Sequence, residues 1–179
     1  MLLEINGRTF IECIVDSIIT SFVKEIIIVV GHEQEKVVAA LDGYDIGLVE
    51  NPDFKQGMST SIRAGLEVIT GKPDAVLVCL GDMPLITSAT VNLLITAFNP
   101  SAGREICVPI YRGKRGNPVL WSNRFIHEMM LLKGDTGARS LLTRYQKVVQ
   151  DVVVPDSGVL VDFDTLESIA AENRIKLNE

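Results

Sequence analysis

Two patterns alternate along the chain: short runs of consecutive apolar residues, and longer segments in which apolar residues recur every three or four positions. The clearest runs are 25–30 (EIIIVV) and 74–80 (DAVLVCL), both with several β-branched residues. Such runs are typical of strands buried on both faces, as in a parallel sheet. The alternation of strand and helix therefore predicts a layered α/β fold with right-handed crossovers.

Helix-capping residues mark where the helical segments begin. Thr9 and Glu12 match a capping box, which predicts a helix that runs to about residue 22. Other helices are predicted to begin at Glu33, Ser59, Thr87 or Ser88, Ser122 and Thr165, and the turn 134–136 is predicted to lead into one more helix. Weaker strands are predicted at 45–50, 105–111, 118–121, 148–154 and 159–161.

Acidic residues follow two of the predicted strands. Ligands of such sheets bind beyond the carboxyl ends of the strands, so Asp82, directly after the run 74–80, is a candidate for holding Mg²⁺. Asp162 and Asp164 follow the run 159–161 and form a second candidate pair for a hard cation. The alternatives are that Asp82 bonds its own turn and that Asp164 or Thr165 only caps the last helix.

A glycine-containing segment, Gly57-Met58-Ser59-Thr60-Ser61, opens one of the predicted helices. Gly57 allows a ligand to approach the backbone, and the free N–H groups of the first turn favour an anion or a polar ligand. The alternative is a plain helix start capped by Ser59.

Two further glycine-rich turns contain basic residues. The segment 112–118 (RGKRGNP) is the main cationic cluster of the sequence, and 134–139 (GDTGAR) precedes a predicted helix. A basic, glycine-rich turn is suited to binding phosphate. A solvated hairpin tip and a simple helix start are the respective alternatives.

Composition restricts the class of protein. The 179 residues are 47% hydrophobic and carry a net charge of −6, which excludes a disordered chain. The acidic balance argues against nucleic-acid binding, and no apolar run is long enough to span a membrane. The scattered Cys13, Cys79 and Cys107 are expected to be reduced core thiols of a cytoplasmic protein.

Taken together, these segments resemble the MobA-like nucleotidyltransferases, and within them the molybdenum cofactor (molybdopterin) cytidylyltransferases. The matching stretches follow the order of the family: 29–32 (VVGH), 51–52 (NP) with 57–61 (GMSTS), 81–84 (GDMP), 115–118 (RGNP), 134–139 (GDTGAR) and 162–165 (DFDT). The resemblance implies a three-layer α/β/α fold with a Rossmann-like, mostly parallel sheet of the glycosyltransferase-A type. It also implies Mg²⁺-dependent transfer of a nucleotidyl group, with release of pyrophosphate.

The resemblance also assigns roles to residues. Asp82 is expected to ligate Mg²⁺, with Asp162 as the second acid near the metal. The nucleotide side is expected to be lined by Asn51, Gly57, Met58, Ser59 and Ser61. The acceptor side is expected to be lined by Arg115, Asn117, Asp135 and Arg139. The substrates implied by this branch are CTP, favoured over GTP and ATP, and a pterin phosphate.

The family begins with a strand and a Gly-rich loop that binds the triphosphate, whereas this sequence begins at the segment that follows that loop. We therefore expect a single domain over residues 1–179 that lacks the first strand and loop. The sheet is expected to be repaired by closing up, by residues 1–5, or by a partner chain in a homo-oligomer. Two other functions stay open: an inactive molybdopterin-binding or chaperone module, and a nucleotidyltransferase that acts on a sugar or alditol phosphate.

Overall fold

The computed structural model describes residues 1–136 and 138–163, and the predicted sites at Asp164 and Thr165 lie outside them. The strands are β1 (Glu4–Ile5), β2 (Arg8–Thr9), β3 (Ile27–Val30), β4 (Gly47–Glu50), β5 (Ala75–Val78), β6 (Ile106–Tyr111), β7 (Lys114–Arg115), β8 (Val119–Ser122) and β9 (Val149–Val153). The helices are α1 (Phe10–Ile19), α2 (Gln34–Ala40), α3 (Met58–Glu67), α4 (Ser88–Ala97), α5 (Ile126–Met130) and α6 (Arg139–Arg144). None of these helices combines the length and the apolar character needed to cross a bilayer.

The strands form two main groups. β3 and β4 are a parallel pair, and the second sheet has the order β5-β8-β6-β7, with β9 parallel to β6. β8 is antiparallel to both of its neighbours, so the sheet is mixed.

Helices α1 and α3 cover opposite faces of the strands. Buried side chains of α1 cluster with Leu77 and Cys79, whereas Leu66 of α3 clusters with Val76 and Val78. Because side chains alternate between the two faces of a strand, α1 and α3 lie on opposite sides of β5. The predicted three-layer α/β/α class is therefore confirmed.

The predicted burial of both faces of 25–30 and 74–80 is wrong. All four residues of β5, and three of the four residues of β3, are only half-buried. The physical reason is that, within the described residues, β3 pairs only with β4 and β5 pairs only with β8. A strand with one paired edge leaves side chains and backbone accessible along the other edge.

The described residues exclude two of the three predicted repairs of the sheet. β3 and β5 belong to different sheets, so the gap is not closed. β1 pairs with β2 in a short hairpin, and does not extend either sheet. The residues before β1 instead contact the start of α1, where the Met1 carbonyl accepts a bond from the Ile11 amide at 3.1 Å.

Some local predictions are confirmed and others are wrong. The capping box is present, because the Thr9 hydroxyl caps α1 and the Glu12 carboxylate accepts from the Thr9 amide. The N-cap of α3 is Gly57, not Ser59, because Ser59 already lies inside the helix. The predicted strand 159–161 is wrong, since Ser157–Leu160 forms a 3-10 turn.

Candidate active site at the carboxyl ends of the strands

The first part of the site is built on Asn51, which directly follows β4 and is only 3% exposed. Its amide nitrogen donates to Thr60 Oγ1 at 2.8 Å and to Ser61 Oγ at 3.0 Å. Its Oδ1 accepts from the Asp53 amide at 3.0 Å. The buried side chain of Asn51 therefore connects the first turn of α3 to the end of β4 through hydrogen bonds.

Thr60 belongs to the predicted 57–61 segment, but no separate role was predicted for it from the sequence. Its buried hydroxyl lies 2.8 Å from the Gly57 carbonyl and 3.1 Å from the Asp53 carbonyl. The sequence signal for this role is a hydroxyl residue near the start of a helix, where such a side chain can bond a backbone carbonyl of the preceding turn. Thr60 closes the turn that carries Gly57.

Gly57 is the point at which the chain enters α3. Its φ of +109° lies in the region that favours glycine. A Cβ on Gly57 would lie 2.6 Å from Asp135 Oδ1 and 2.7 Å from the Gly134 carbonyl carbon. The turn Gly134–Thr136 is thus in direct contact with the Gly57 loop.

Met58, Ser59 and Ser61 differ in their accessibility. Met58 is 43% exposed, Ser59 is buried, and Ser61 is half-buried against Asn51. Met58 is therefore the exposed side chain of this segment, whereas the Thr60 and Ser61 hydroxyl groups bond to the buried Asn51 side chain.

The second part of the site follows β5. Asp82 is half-buried, and its carbonyl oxygen accepts a bond from the Phe163 amide at 3.2 Å. Asp162, adjacent to Phe163, is exposed. This contact joins two segments that are about 80 residues apart in sequence.

Close packing keeps these segments together. A Cβ on Gly158 would meet the Leu85 carbonyl oxygen at 2.4 Å, so the turn that precedes Asp162 lies against the loop after β5. Phe163 is buried and packs on Phe10 of α1, with ring centroids 5.1 Å apart. Phe163 thus anchors the contact between these two segments in the core.

The donor chemistry at this place fits a hard cation, because carboxylate oxygens are the ligands that Mg²⁺, Mn²⁺ and Ca²⁺ prefer. Within residues 1–136 and 138–163, no group of three or more His, Cys, Asp or Glu side chains is arranged to hold a metal. A cation held by two protein acids takes its other ligands from water and phosphate oxygens.

The third part of the site is the β6–β7 hairpin and the residues that follow it. Arg115 Nε donates to the Asp151 carboxylate at 2.6 Å. The backbone amide of Asn117 donates to the Val159 carbonyl at 2.9 Å, and Gly116 is packed against the same carbonyl group. The hairpin is therefore joined to the 157–163 segment, while Arg139 is exposed at the start of α6.

The described contacts join the 115–117 segment to the segment before Asp162, and join the turn Gly134–Thr136 to the Gly57 loop. These segments carry oxygen- and nitrogen-bearing groups suited to phosphate, metal or sugar. A family model described as MobA-like NTP transferase domain matches residues 1–148. The chain belongs to the MobA-like NTP transferase family. The family predicted from the motifs is confirmed, and with it the assignment to the nucleotidyltransferase enzymes.

The relatives of this NTP transferase are named after different activities. It is 27% identical over 176 residues to nicotine blue oxidoreductase of Paenarthrobacter nicotinovorans, covering 94% of this chain and 84% of that protein. It is 24% identical over 155 residues to molybdenum cofactor cytidylyltransferase of Escherichia coli K12, covering 86% of this chain and 77% of that protein. It spans about a fifth of the length of the bifunctional GlmU proteins that it matches.

Solved structures show the same fold. A nucleotidyl transferase from Methanothermobacter, Mth528, superposes with a TM-score of 0.83 at 23% identity, covering 99% of this chain and 84% of that chain. The manganese complex of Rv0371c from Mycobacterium tuberculosis superposes with a TM-score of 0.79 at 26% identity, covering 95% and 89%. A divalent metal is therefore found in at least one structure of this group.

Proposed function

We propose that this NTP transferase moves a CMP group from CTP to the phosphate of a pterin, the acceptor of molybdenum cofactor biosynthesis, and releases pyrophosphate. The proposal is supported by the family, by the relative named molybdenum cofactor cytidylyltransferase, and by the order of the motifs. The single observation that supports the metal site of this proposal is the hydrogen bond from the Phe163 backbone amide to the Asp82 carbonyl, because it makes Asp162 a neighbour of the segment that contains Asp82.

Asp82 and Asp162 are the proposed holders of Mg²⁺. A bound divalent ion supplies neutralisation of the charge that develops on the phosphate oxygens. The two carboxylates need only fix its position at the end of β5, because transfer at phosphorus depends on positioning and charge neutralisation more than on a nucleophilic side chain.

The nucleotide is proposed to bind against the 57–61 loop. Hydrogen bonds from Asn51 to Thr60, and from Thr60 to the Gly57 carbonyl, stabilise this loop. The acceptor is proposed to bind near Arg115, Asn117, Asp135 and Arg139. Arg115 forms an ion pair with Asp151. To bind an acceptor phosphate, the Arg115 guanidinium must either leave the Asp151 carboxylate or bind both groups at once.

The experiment is a pyrophosphate-release assay with CTP, GTP and ATP, each with molybdopterin as acceptor, in Mg²⁺ or in EDTA. We expect turnover with CTP in Mg²⁺ only. Asp82→Asn and Asp162→Asn are each expected to lower kcat/KM by about 100-fold, the scale of a lost charge contact in the transition state. Asp42→Asn, at an exposed position away from the site, is the matched control. Turnover that is unchanged in both site variants would refute the assignment of the metal ligands.

The same assay, repeated with sugar and alditol phosphates as acceptors and combined with a molybdopterin-binding measurement, separates the other candidates. Binding of molybdopterin without turnover of any triphosphate would indicate an inactive binding module. Turnover only with a sugar or alditol phosphate would replace the acceptor and keep the chemistry. The chain is similar to nicotine blue oxidoreductase over 94% of its length, so a further assay is added to the experiment. This assay follows the reduction of nicotine blue by NADH or NADPH. Reduction without pyrophosphate release would overturn the proposal.

A further inference from the structure

Helix α3 begins without a cap of its own. Its N-cap residue is Gly57, which has no side chain, and its first turn contains no acidic residue. The first amide groups of a helix lack partners within the helix and are normally satisfied by a side chain of the N-cap residue. At α3, the N-cap residue cannot fill this role.

Asp135 fills this role from 77 residues away. Its Oδ1 accepts from the Met58 amide, the first helical amide of α3, at 3.2 Å. A carboxylate at this position is also favoured by the positive end of the helix dipole. Asp135 itself is exposed, so it reaches the helix from a surface turn.

The contact includes the backbone as well as the side chain. Gly57 leaves just enough room for Gly134 and Asp135, since a Cβ there would lie within 3 Å of both. The Gly57 loop and the turn Gly134–Thr136 therefore fit against each other, and moving one displaces the other.

We propose that Asp135 is a positioning residue that couples the 134–139 turn to the nucleotide loop. The inference rests on the proposed function, in which the 57–61 loop contacts the nucleotide. Asp135 acts through Met58: it holds the first amide of α3, and thereby sets the conformation of the loop to which the nucleotide binds. Nucleotide affinity therefore depends on a residue of the acceptor half of the chain.

The test compares Asp135→Ala with Asp135→Asn, because asparagine keeps an acceptor oxygen for the Met58 amide and alanine does not. Nucleotide affinity is measured by titration calorimetry with CTP and Mg²⁺, and exchange of the Met58 amide with solvent is measured by NMR. We expect Asp135→Ala to weaken CTP binding about fivefold, which is equivalent to ~1 kcal/mol, and to accelerate exchange at Met58. Asp135→Asn is expected to remain within about twofold of the parent chain. Lys133→Ala, at an exposed position directly before this turn, is the matched control.

A purely structural role predicts a different result. Asp135→Ala would then lower the melting temperature while the folded protein bound CTP as tightly as the parent chain, and this outcome would overturn the coupling. Slow exchange of Met58 in Asp135→Ala would also overturn it. A parent chain that binds none of the triphosphates would overturn the proposed function, and the coupling with it. Binding that is equal in the parent and in Asp135→Ala overturns the coupling alone.

Discussion

At the residue scale, Asn51 illustrates how the site is stabilised from within. A buried amide side chain is tolerated because both of its ends are satisfied, by Thr60 and Ser61 on one side and by the Asp53 amide on the other. Asn51 is predicted from the sequence to line the nucleotide side, and the structure adds a role in supporting the loop. That role follows from burial, which a two-residue motif such as Asn51-Pro52 does not reveal.

Replacing Asn51 by alanine is expected to destabilise the fold by about 1–3 kcal/mol, because buried polar groups of the loop lose their partner. The measurement is urea-induced unfolding, with the free energy taken from the midpoint and slope. Thr60→Ser keeps the hydroxyl group and serves as the control. Asn51→Ala with a stability equal to the parent chain would show that the loop is held by other contacts.

Asp135 marks the limit of what this sequence could reveal about the site. Its motif was visible, but its partner Met58 lies 77 positions earlier. No local pattern indicates which helix start a distant carboxylate will cap. The contact became apparent only when the fold brought the two segments together.

At the element scale, local signals predicted well where a helix begins with its own cap. The capping box of α1 was predicted from Thr9 and Glu12 and is present. The prediction failed at 159–161, because a short apolar run carries the same pattern in a strand and in a tightly packed turn. Here Gly158, packed against Leu85, and the contact of Asn117 with Val159 determine the turn.

The capping box also predicts how stability depends on pH. The hydrogen bond from the Thr9 hydroxyl to the Glu12 carboxylate, followed by the bond from the Thr9 backbone amide, lowers the pKa of Glu12. A carboxyl group whose pKa is lower in the folded state contributes stability above its ordinary pKa of about 4.3 and loses it as pH falls through the folded value.

Thr9→Ala is therefore expected to cost about 1 kcal/mol of unfolding free energy near pH 7. The difference between Thr9→Ala and the parent chain should shrink as the solution is acidified below about pH 4. Thermal unfolding followed by circular dichroism from pH 3 to pH 7 measures both chains. A difference that stays constant over this range would show that the Glu12 carboxylate does not contribute to the cap.

At the scale of the whole molecule, the layered α/β class was predictable, but the completeness of the sheet was not. Composition and alternation were sufficient for the class, since they require helices on both faces of the strands. The accessible edges of β3 and β5 depend instead on which strands pair in space, and half-burial of these apolar strands is their consequence.

We propose that the chain self-associates, because the described residues provide only one pairing partner for each of these strands and open edges favour pairing with another chain. Size-exclusion chromatography with light scattering at micromolar concentration is expected to give a mass of at least twice 19.6 kDa. A stable, soluble monomer would contradict the proposal.

The most direct test of the central claim is the location of the metal. Crystals grown with CTP and Mn²⁺ give an anomalous difference map in which the ion appears independently of the protein model. We predict one strong peak at the end of β5, with carboxylate oxygens of both Asp82 and Asp162 at about 2.0–2.6 Å from the ion. A bound CTP whose manganese lies away from both acids would contradict the account.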